Sequence, residues 1–200
     1  MEGALFRKTG KLSSLSEQNL VDCDQGNNGC KGGLERVAFD YVIGHGINLE
    51  EDYPYVGQQK SCRFNSSRTV DPIKDYISLR GKDEIKLTCY LARLGPISVG
   101  IDAGPRSFQH YKSGVYYDRS CKKIGLNHSV LLVGYGSGEN GDYYIIKNSW
   151  GTKWGDNGYM KMARNKQNAC GIASDATVPS IVKIHYSTVI SDYFLLIPCM

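Results

Sequence analysis

Leu126-Asn127-His128-Ser129-Val130-Leu131-Leu132-Val133-Gly134-Tyr135-Gly136 places one histidine at the start of an apolar strand. Twenty residues after His128, Lys147-Asn148-Ser149-Trp150-Gly151 opens a segment rich in glycine and aromatic residues. An asparagine side chain can hold one imidazole nitrogen and fix its tautomer, and a neighbouring tryptophan can shield that hydrogen bond from water. Taken alone, His128 would be interpreted as a structural histidine and the second stretch as a glycine-rich hairpin with aromatic packing. Together, the two stretches favour a functional histidine.

The composition is that of a globular protein. Apolar residues make up 41% and charged residues 22% of the 200 residues, which excludes a disordered chain, a coiled coil and a collagen-like repeat. Lysine and arginine number 24 against 20 acidic residues and form no basic stripe, so we expect no nucleic-acid partner. No apolar run reaches the roughly 18 residues of a membrane span, and the first residues lack the apolar segment of a signal peptide. We therefore expect no membrane partner.

Cysteine spacing points to disulfide bonds rather than to a metal. The seven cysteines are at positions 23, 30, 62, 89, 121, 170 and 199. No Cys-x-x-Cys pair and no His-x-x-x-His spacing occurs, which argues against a zinc site or a thioredoxin-like redox site, and we expect no metal and no cofactor. The pattern favours a secreted or vesicular protein, and the odd number leaves at least one thiol without an internal partner.

Helix signals precede strand signals along the chain. A first helix is predicted to end at Gly10, and a short second helix is predicted to be capped by Ser14 or Ser16. Apolar periodicity predicts further helices over 34–42 and 83–94. Strands are predicted at 97–101, 115–117, 129–135, 143–147 and 159–162. This order indicates an α+β fold with two segregated lobes.

In the stretches around His128 and Asn148, the chain resembles papain-like cysteine peptidases. Among these it resembles the cathepsins of the K, L and S type, and the K type most. Further matching stretches lie at 15–23, 29–33, 53–58, 95–99, 114–118, 163–166 and 169–173. The resemblance covers about residues 1–181. It implies a papain-like two-lobe fold, with a partial helical left lobe over 1–77 and a β-barrel-like right lobe over 78–181. Residues 182–200 form an atypical C-terminal tail.

The resemblance also implies a reaction. In this family a cysteine thiolate attacks the peptide carbonyl, a histidine gives a proton to the leaving amine, and an asparagine orients the histidine. By this resemblance His128 is the general acid and base, Asn148 orients it and Trp150 shields it. The implied activity is that of a cysteine-type endopeptidase acting on extended protein substrates.

The nucleophile of the family has no counterpart in these residues. Its signature, Cys-Gly-Ser/Ala-Cys-Trp/Tyr, lies about 130 to 150 residues before the histidine and asparagine, which falls upstream of Met1. The glutamine of the oxyanion hole is also absent. We therefore expect a chain that lacks the N-terminal part with the cysteine and is inactive as it stands. The alternatives are a non-catalytic, papain-like pseudoenzyme that binds peptides or inhibitors, and a fragment that does not fold stably.

The resemblance assigns the cysteines as well. It pairs Cys23 with Cys62 and Cys121 with Cys170. It leaves three cysteines without a partner: Cys30, Cys89 and Cys199.

A substrate site follows by the same carry-over. Gly32 and Gly33 match the strip that pairs with substrate backbone, and small residues there permit close approach. Asn127 belongs to the substrate-binding set beside His128. The pocket for the second residue before the cleaved bond is assigned to Leu34, Glu35, Gly100, Leu126, Ser129 and Asp175. Since such pockets are mostly apolar, Glu35 and Asp175 suggest that a basic side chain is tolerated, unless both carboxylates point to solvent.

The resemblance further implies partners, a compartment and a modification. Asn65 begins an Asn-Ser-Ser sequon in a polar loop and is a glycosylation candidate, whereas the sequon at Asn127 lies in the cleft, where we expect no modification. Expected partners are protein or peptide substrates, cystatin-like inhibitors and the protein's own propeptide. We expect the protein to be a monomer that is located in the lysosome or outside the cell.

Overall fold

The computed structural model describes residues 1–184, which form five α-helices and two β-sheets. Most of the 182–200 tail, and with it Cys199, lies outside the described residues. Among residues 1–184 no helix is both long enough and apolar enough to cross a membrane.

Two of the five helices in residues 1–184 begin at a capping side chain. The five helices are α1 (Glu2–Thr9), α2 (Glu17–Cys23), α3 (Glu35–His45), α4 (Glu84–Leu94) and α5 (Arg106–Gln109). Ser16 Oγ accepts a hydrogen bond from Asn19 N at the start of α2, and Asp83 accepts one from Lys86 N at the start of α4, both at 2.9 Å. The four predicted helices are confirmed, and Ser16 rather than Ser14 is the cap.

In the described part of the chain, nine strands form a small sheet and a large one. They are β1 (Ile47–Asn48), β2 (Thr69–Val70), β3 (Asp75–Arg80), β4 (Ile97–Ile101), β5 (Val115–Tyr116), β6 (His128–Gly138), β7 (Gly141–Lys147), β8 (Tyr159–Ala163) and β9 (Asp175–Ser180). β1 pairs with β2, and the other seven follow the order β3-β9-β4-β6-β7-β8-β5. The pair of β5 with β8 is parallel, and β6 forms antiparallel pairs with β4 and β7. The β6–β7 register shifts between Leu132 and Gly134.

The large sheet is open. The α+β, papain-like class is confirmed, but the barrel-like closure expected for the right lobe is not found among the described residues. Closure requires hydrogen bonds between the first and last strands of a sheet. Here β3 and β5 are the two edges of a linear order, so the seven strands form a sheet and not a barrel.

The chain divides into two compact units. The first comprises Met1–Ile77 with residues 179–184, and the second comprises Ser78–Val178. The core of the first unit is built from seven buried residues: Ala4, Leu5, Leu15, Phe39, Val42, Ile47 and Ile73. In the second unit, Ile97, Val99 and Ile101 of β4 are fully buried, because alternate residues of a strand point to the same face of its sheet.

Four of the cysteine assignments have a clear outcome. The predicted disulfides Cys23–Cys62 and Cys121–Cys170 are confirmed. Cys30 is free and exposed, as expected. The prediction that Cys89 is unpaired is wrong, because Cys89 is disulfide-bonded. Pairing by family resemblance supplied no partner for it, so a bond outside the family pattern was not considered.

A buried carboxylate organises one part of the first unit. Asp22 is 8% exposed and accepts hydrogen bonds from Tyr53 Oη (2.8 Å), Gln18 Nε2 (2.8 Å) and Lys60 N (2.7 Å). Burial opposes ionisation, but these hydrogen bonds and the positive charge of Arg63 outweigh it and lower the pKa of Asp22. The charged form is therefore the one that the fold stabilises.

Asp22→Asn is expected to weaken the acid dependence of stability. A carboxyl with a lowered pKa in the folded state stabilises the fold above its unfolded pKa of about 3.9, and this contribution is lost as the pH falls through the folded value. We expect D22N to lose stability at neutral pH and to show a smaller further loss between neutral and acid pH than the parent. Urea unfolding across that range measures both. The matched control is Asp40→Asn, on an exposed position of α3, and equal pH slopes for D22N and the parent would contradict the prediction.

Candidate active site

His128 is the first residue of β6 and pairs in register with Ile101 of β4. Its Nε2 lies 2.8 Å from Asn148 Oδ1. The backbone N–H of Ser149 donates to the same oxygen at 2.8 Å, which identifies that atom as the acceptor of the amide. Since an amide oxygen only accepts, Nε2 carries the proton in this contact and Nδ1 is the nitrogen left for chemistry.

Asn148 is held in place by the turn that follows β7. It is 7% exposed, and its backbone N–H donates to Gly158 O at 3.0 Å. Its Nδ2 is buried and has no partner within residues 1–184, so Oδ1 alone sets the orientation of the amide. The turn depends on Gly155, with φ 60°, because a Cβ at that position would collide with the carbonyl oxygen of Tyr159.

Aromatic rings surround the histidine. The ring centroid of Trp150 lies 4.9 Å from that of His128, and the two planes are inclined by 36°. Phe108, fully buried, lies beneath both, with its centroid 5.6 Å from Trp150 and 6.4 Å from His128. Trp154 is 5.3 Å from Phe108 and donates from Nε1 to Gln109 O at 3.1 Å. The imidazole therefore lies against a packed aromatic base.

A cavity of about 390 Å³ opens beside the histidine. It is lined by Ala103, Gly104, Gln109, Asn127, His128 and Trp150. All six residues belong to the second unit. Of the predicted catalytic residues, His128 lines this cavity together with the supporting Trp150, and Asn148 contacts His128 without lining it.

The predicted substrate residues of the second unit lie near one another at the β4–β6 pair. Gly100 is buried, and a Cβ there would approach Leu126 Cδ1 to 3.0 Å and Asp175 Cβ to 3.8 Å. Ser129 is exposed and pairs in register with Gly100. Asn127 instead turns its amide toward the protein backbone, where Oδ1 accepts from Ala103 N at 2.9 Å. Its side-chain oxygen is therefore used in a hydrogen bond within the protein.

The predicted substrate residues of the first unit lie between the 3-10 turn Gly29–Lys31 and α3. Gly32, Gly33 and Leu34 are exposed, and Glu35 is half-buried as the first residue of α3. Gly32 has φ 102°, a conformation that favours glycine, with no atom near its Cβ direction. Their grouping with residues of the second unit stays a prediction.

Two residues of this region were not anticipated. Phe108 carries no motif, and its place beneath the histidine arises from contacts distant in sequence. Asp102 follows directly on the predicted strand 97–101, and a charged residue at the end of an apolar strand is the signal that could have found it. Within residues 1–184 no group of three or more histidine, cysteine or acidic side chains is arranged to hold a metal ion.

Comparison with known proteins identifies the family of the chain. The sequence matches the family described as "Papain family cysteine protease" over residues 1–180. The chain therefore belongs to the papain family of cysteine proteases. It is 51% identical over 185 residues to a protein described as "Cathepsin L-like" from Caenorhabditis elegans and 50% identical over 182 residues to "Cathepsin K" from Mus musculus. Each alignment covers 90% of this chain and 55% of the relative.

A solved structure gives the same result for the fold. The digestive procathepsin L 3 of the Tenebrio molitor larval midgut superposes with a TM-score of 0.86 at 46% identity, covering 90% of this chain and 59% of that chain. The chain thus spans somewhat more than half the length of these relatives. Identities of 51% and 50% do not separate the cathepsin L type from the cathepsin K type.

Proposed function

We propose that this chain supplies the general acid and base of a cysteine-type endopeptidase. His128 carries the proton, Asn148 orients its ring, and Trp150 shields their hydrogen bond from water. The observation that carries the proposal is the 2.8 Å contact between His128 Nε2 and Asn148 Oδ1, which leaves Nδ1 free to exchange a proton. A thiolate beside Nδ1 would be stabilised by the protonated ring. After its attack on the peptide carbonyl, Nδ1–H would protonate the leaving amine.

We propose further that the 200 residues do not hydrolyse peptides by themselves. The sequence has no Cys-Gly-Ser/Ala-Cys-Trp/Tyr stretch. Among residues 1–184, five cysteines are in disulfides, and the free Cys30 is exposed in the 3-10 turn Gly29–Lys31. Turnover would require a thiolate that these residues do not provide.

A fluorogenic peptide and a thiol-directed epoxide test this proposal on the purified chain. We expect no hydrolysis above buffer and no cysteine labelling that depends on His128, so H128A and the parent should behave alike. Hydrolysis that H128A abolishes would overturn the inactivity and support the role of His128. In a longer form of the protein that carries the thiolate, H128A is expected to lower kcat/KM by about 10³-fold. An unchanged value there would overturn the role itself.

Substrate, partners and compartment are inferred from the relatives. We propose that protein or peptide substrates bind in extended form, and that the protein's own propeptide and cystatin-like inhibitors bind the same cleft. The solved relative is a procathepsin, which supports the propeptide as a partner. The disulfides support an oxidising compartment, and we propose a lysosomal or extracellular monomer. The substrate-binding roles of the two residue groups described above, including acceptance of a basic side chain by Glu35 and Asp175, stay predictions.

Asn65 is proposed as the glycosylated asparagine. It is exposed in a turn, and its Oδ1 accepts hydrogen bonds from Ser67 N (3.0 Å) and Ser67 Oγ (2.7 Å). The amide of Asn127, in the other sequon, is engaged on both sides. When the chain is expressed through a eukaryotic secretory pathway, N-glycosidase treatment is expected to remove one glycan, which N65Q eliminates and N127Q leaves. A glycan that persists in N65Q would contradict the assignment.

A further inference from the structure

We propose that Asp102 is a positioning residue for His128, acting through the side chain of Asn127. The inference rests on the proposed role of His128 and adds a residue that no sequence motif singled out. Asp102 follows β4 directly, and Asn127 precedes β6 directly, so the pair connects the ends of two neighbouring strands at the place where the imidazole emerges.

The carboxylate of Asp102 is buried and fully engaged. The residue is 4% exposed. Its Oδ1 accepts from Gly104 N at 3.0 Å and from Asn127 Nδ2 at 2.9 Å, and its Oδ2 accepts from Lys122 N at 2.7 Å. Three donors converge on one side chain, and a carboxylate is the group that can accept from all of them.

Asn127 links the carboxylate of Asp102 to the backbone next to His128. Its Nδ2 donates to Asp102 and its Oδ1 accepts from Ala103 N, so both ends of the amide are held by consecutive residues. Its backbone N–H donates to Ile101 O at 3.0 Å. The residue that precedes His128 is therefore fixed at three atoms, and the peptide that carries the imidazole has little freedom to shift along the strand.

The ionised form of Asp102 is the one that this arrangement needs. Burial opposes ionisation, but the hydrogen bonds from Lys122, Gly104 and Asn127 outweigh it, and the pKa of Asp102 is lowered. The positive charge of Lys122 also lowers the pKa of Asp102. An asparagine at this position would turn an NH₂ group toward N–H donors and lose at least one of the three bonds.

The absence of a side chain at Gly104 leaves room for the hydrogen bond between Asp102 and Asn127. A Cβ on Gly104 would lie 3.0 Å from Asp102 Oδ1 and 3.4 Å from Asn127 Nδ2. A side chain at Gly104 would therefore crowd the bond between the two residues. Gly104 and Asn127 also line the cavity beside His128, so a displaced Asn127 would alter the wall of that cavity.

The decisive measurement is the state of the His128 imidazole in the full chain. Long-range ¹H–¹⁵N spectra distinguish the two tautomers, and H128Q identifies the signals that belong to His128. In the parent we expect a protonated, slowly exchanging Nε2, as the contact with Asn148 requires. In D102N we expect a mixed tautomer and exchange of the Nε2 proton about tenfold faster, because the peptide before the ring is released. N127A should give the same change, and D102N/N127A should add nothing.

A second buried carboxylate provides the control for a merely structural effect. Asp22 also accepts three hydrogen bonds, but in the first unit, so D22N should lower stability without changing the His128 spectrum. If D102N unfolds the chain, N127A alone carries the test, since it leaves the carboxylate in place. An unchanged His128 tautomer in D102N and N127A would overturn the inference. Absence of the Nε2–H signal in the parent would instead overturn the proposed pair of His128 and Asn148.

Discussion

Replacing Phe108 with alanine is expected to lower the free energy of unfolding by about 4 kcal/mol. The ring is fully buried and contacts Trp150, Trp154, Tyr116 and His128 at centroid distances of 5.3 to 6.4 Å. Truncation removes the apolar contact and leaves a cavity that rigid aromatic neighbours cannot fill. Denaturant unfolding followed by circular dichroism measures the loss without relying on the tryptophans.

Two further variants make the result interpretable. Phe6→Ala removes the same atoms from a residue that is 48% exposed, and we expect it to cost less than about 1 kcal/mol. Phe108→Leu keeps most of the volume and should fall between the two. If F108A and F6A have equal effects, Phe108 does not support the aromatic cluster as described.

Glu84→Gln is expected to cost about 3 kcal/mol. This first residue of α4 is 8% exposed, and its carboxylate accepts from Asn165 N (2.6 Å) and Asn168 N (2.7 Å), 81 and 84 residues away. The loop that it holds includes residues with positive φ, namely Asn165, Gln167, Asn168 and Cys170, which L-residues adopt only at an energetic cost. A glutamine would present an NH₂ group to one of the two backbone donors and leave that donor buried and unsatisfied.

Glu139→Gln is the matched control, since Glu139 is exposed in the turn between β6 and β7. Urea unfolding of both variants at neutral pH compares the loss of the same charge in two environments. A loss for E84Q no larger than that for E139Q would show that the loop is held by its own conformation and not by the carboxylate.

Local signals in the sequence predicted most of the secondary structure. Capping residues and apolar periodicity placed the four longer helices, and alternation placed β4 at its observed bounds. The short elements β1, β2 and α5 were missed, and so were β3 and β9. β9 contains Pro179, which lacks the N–H of a regular strand residue, and its pairing next to β4 depends on residues far away in sequence. The open form of the large sheet was missed for the same reason, because the order of strands is a property of distant pairings.

The site residues that belong to a sequence motif were predicted, and those whose place depends on packing were missed. The family resemblance carried by the stretches around His128 and Asn148 was enough to predict their contact. Phe108 and Asp102 act through neighbours that only folding brings together, and neither residue type has a characteristic spacing. The disulfide at Cys89 was missed because assignment by resemblance considered only pairs that the family provides.

The shifted register of β6 and β7 between Leu132 and Gly134 separates two parts of one hairpin. On one side, β6 is aligned with β4 down to His128, and on the other, the hairpin ends in the exposed residues 139 and 140. A change in the length of this tip is absorbed before it reaches the aligned part. A fluorescent reporter grafted at the tip is therefore expected to leave the imidazole undisturbed.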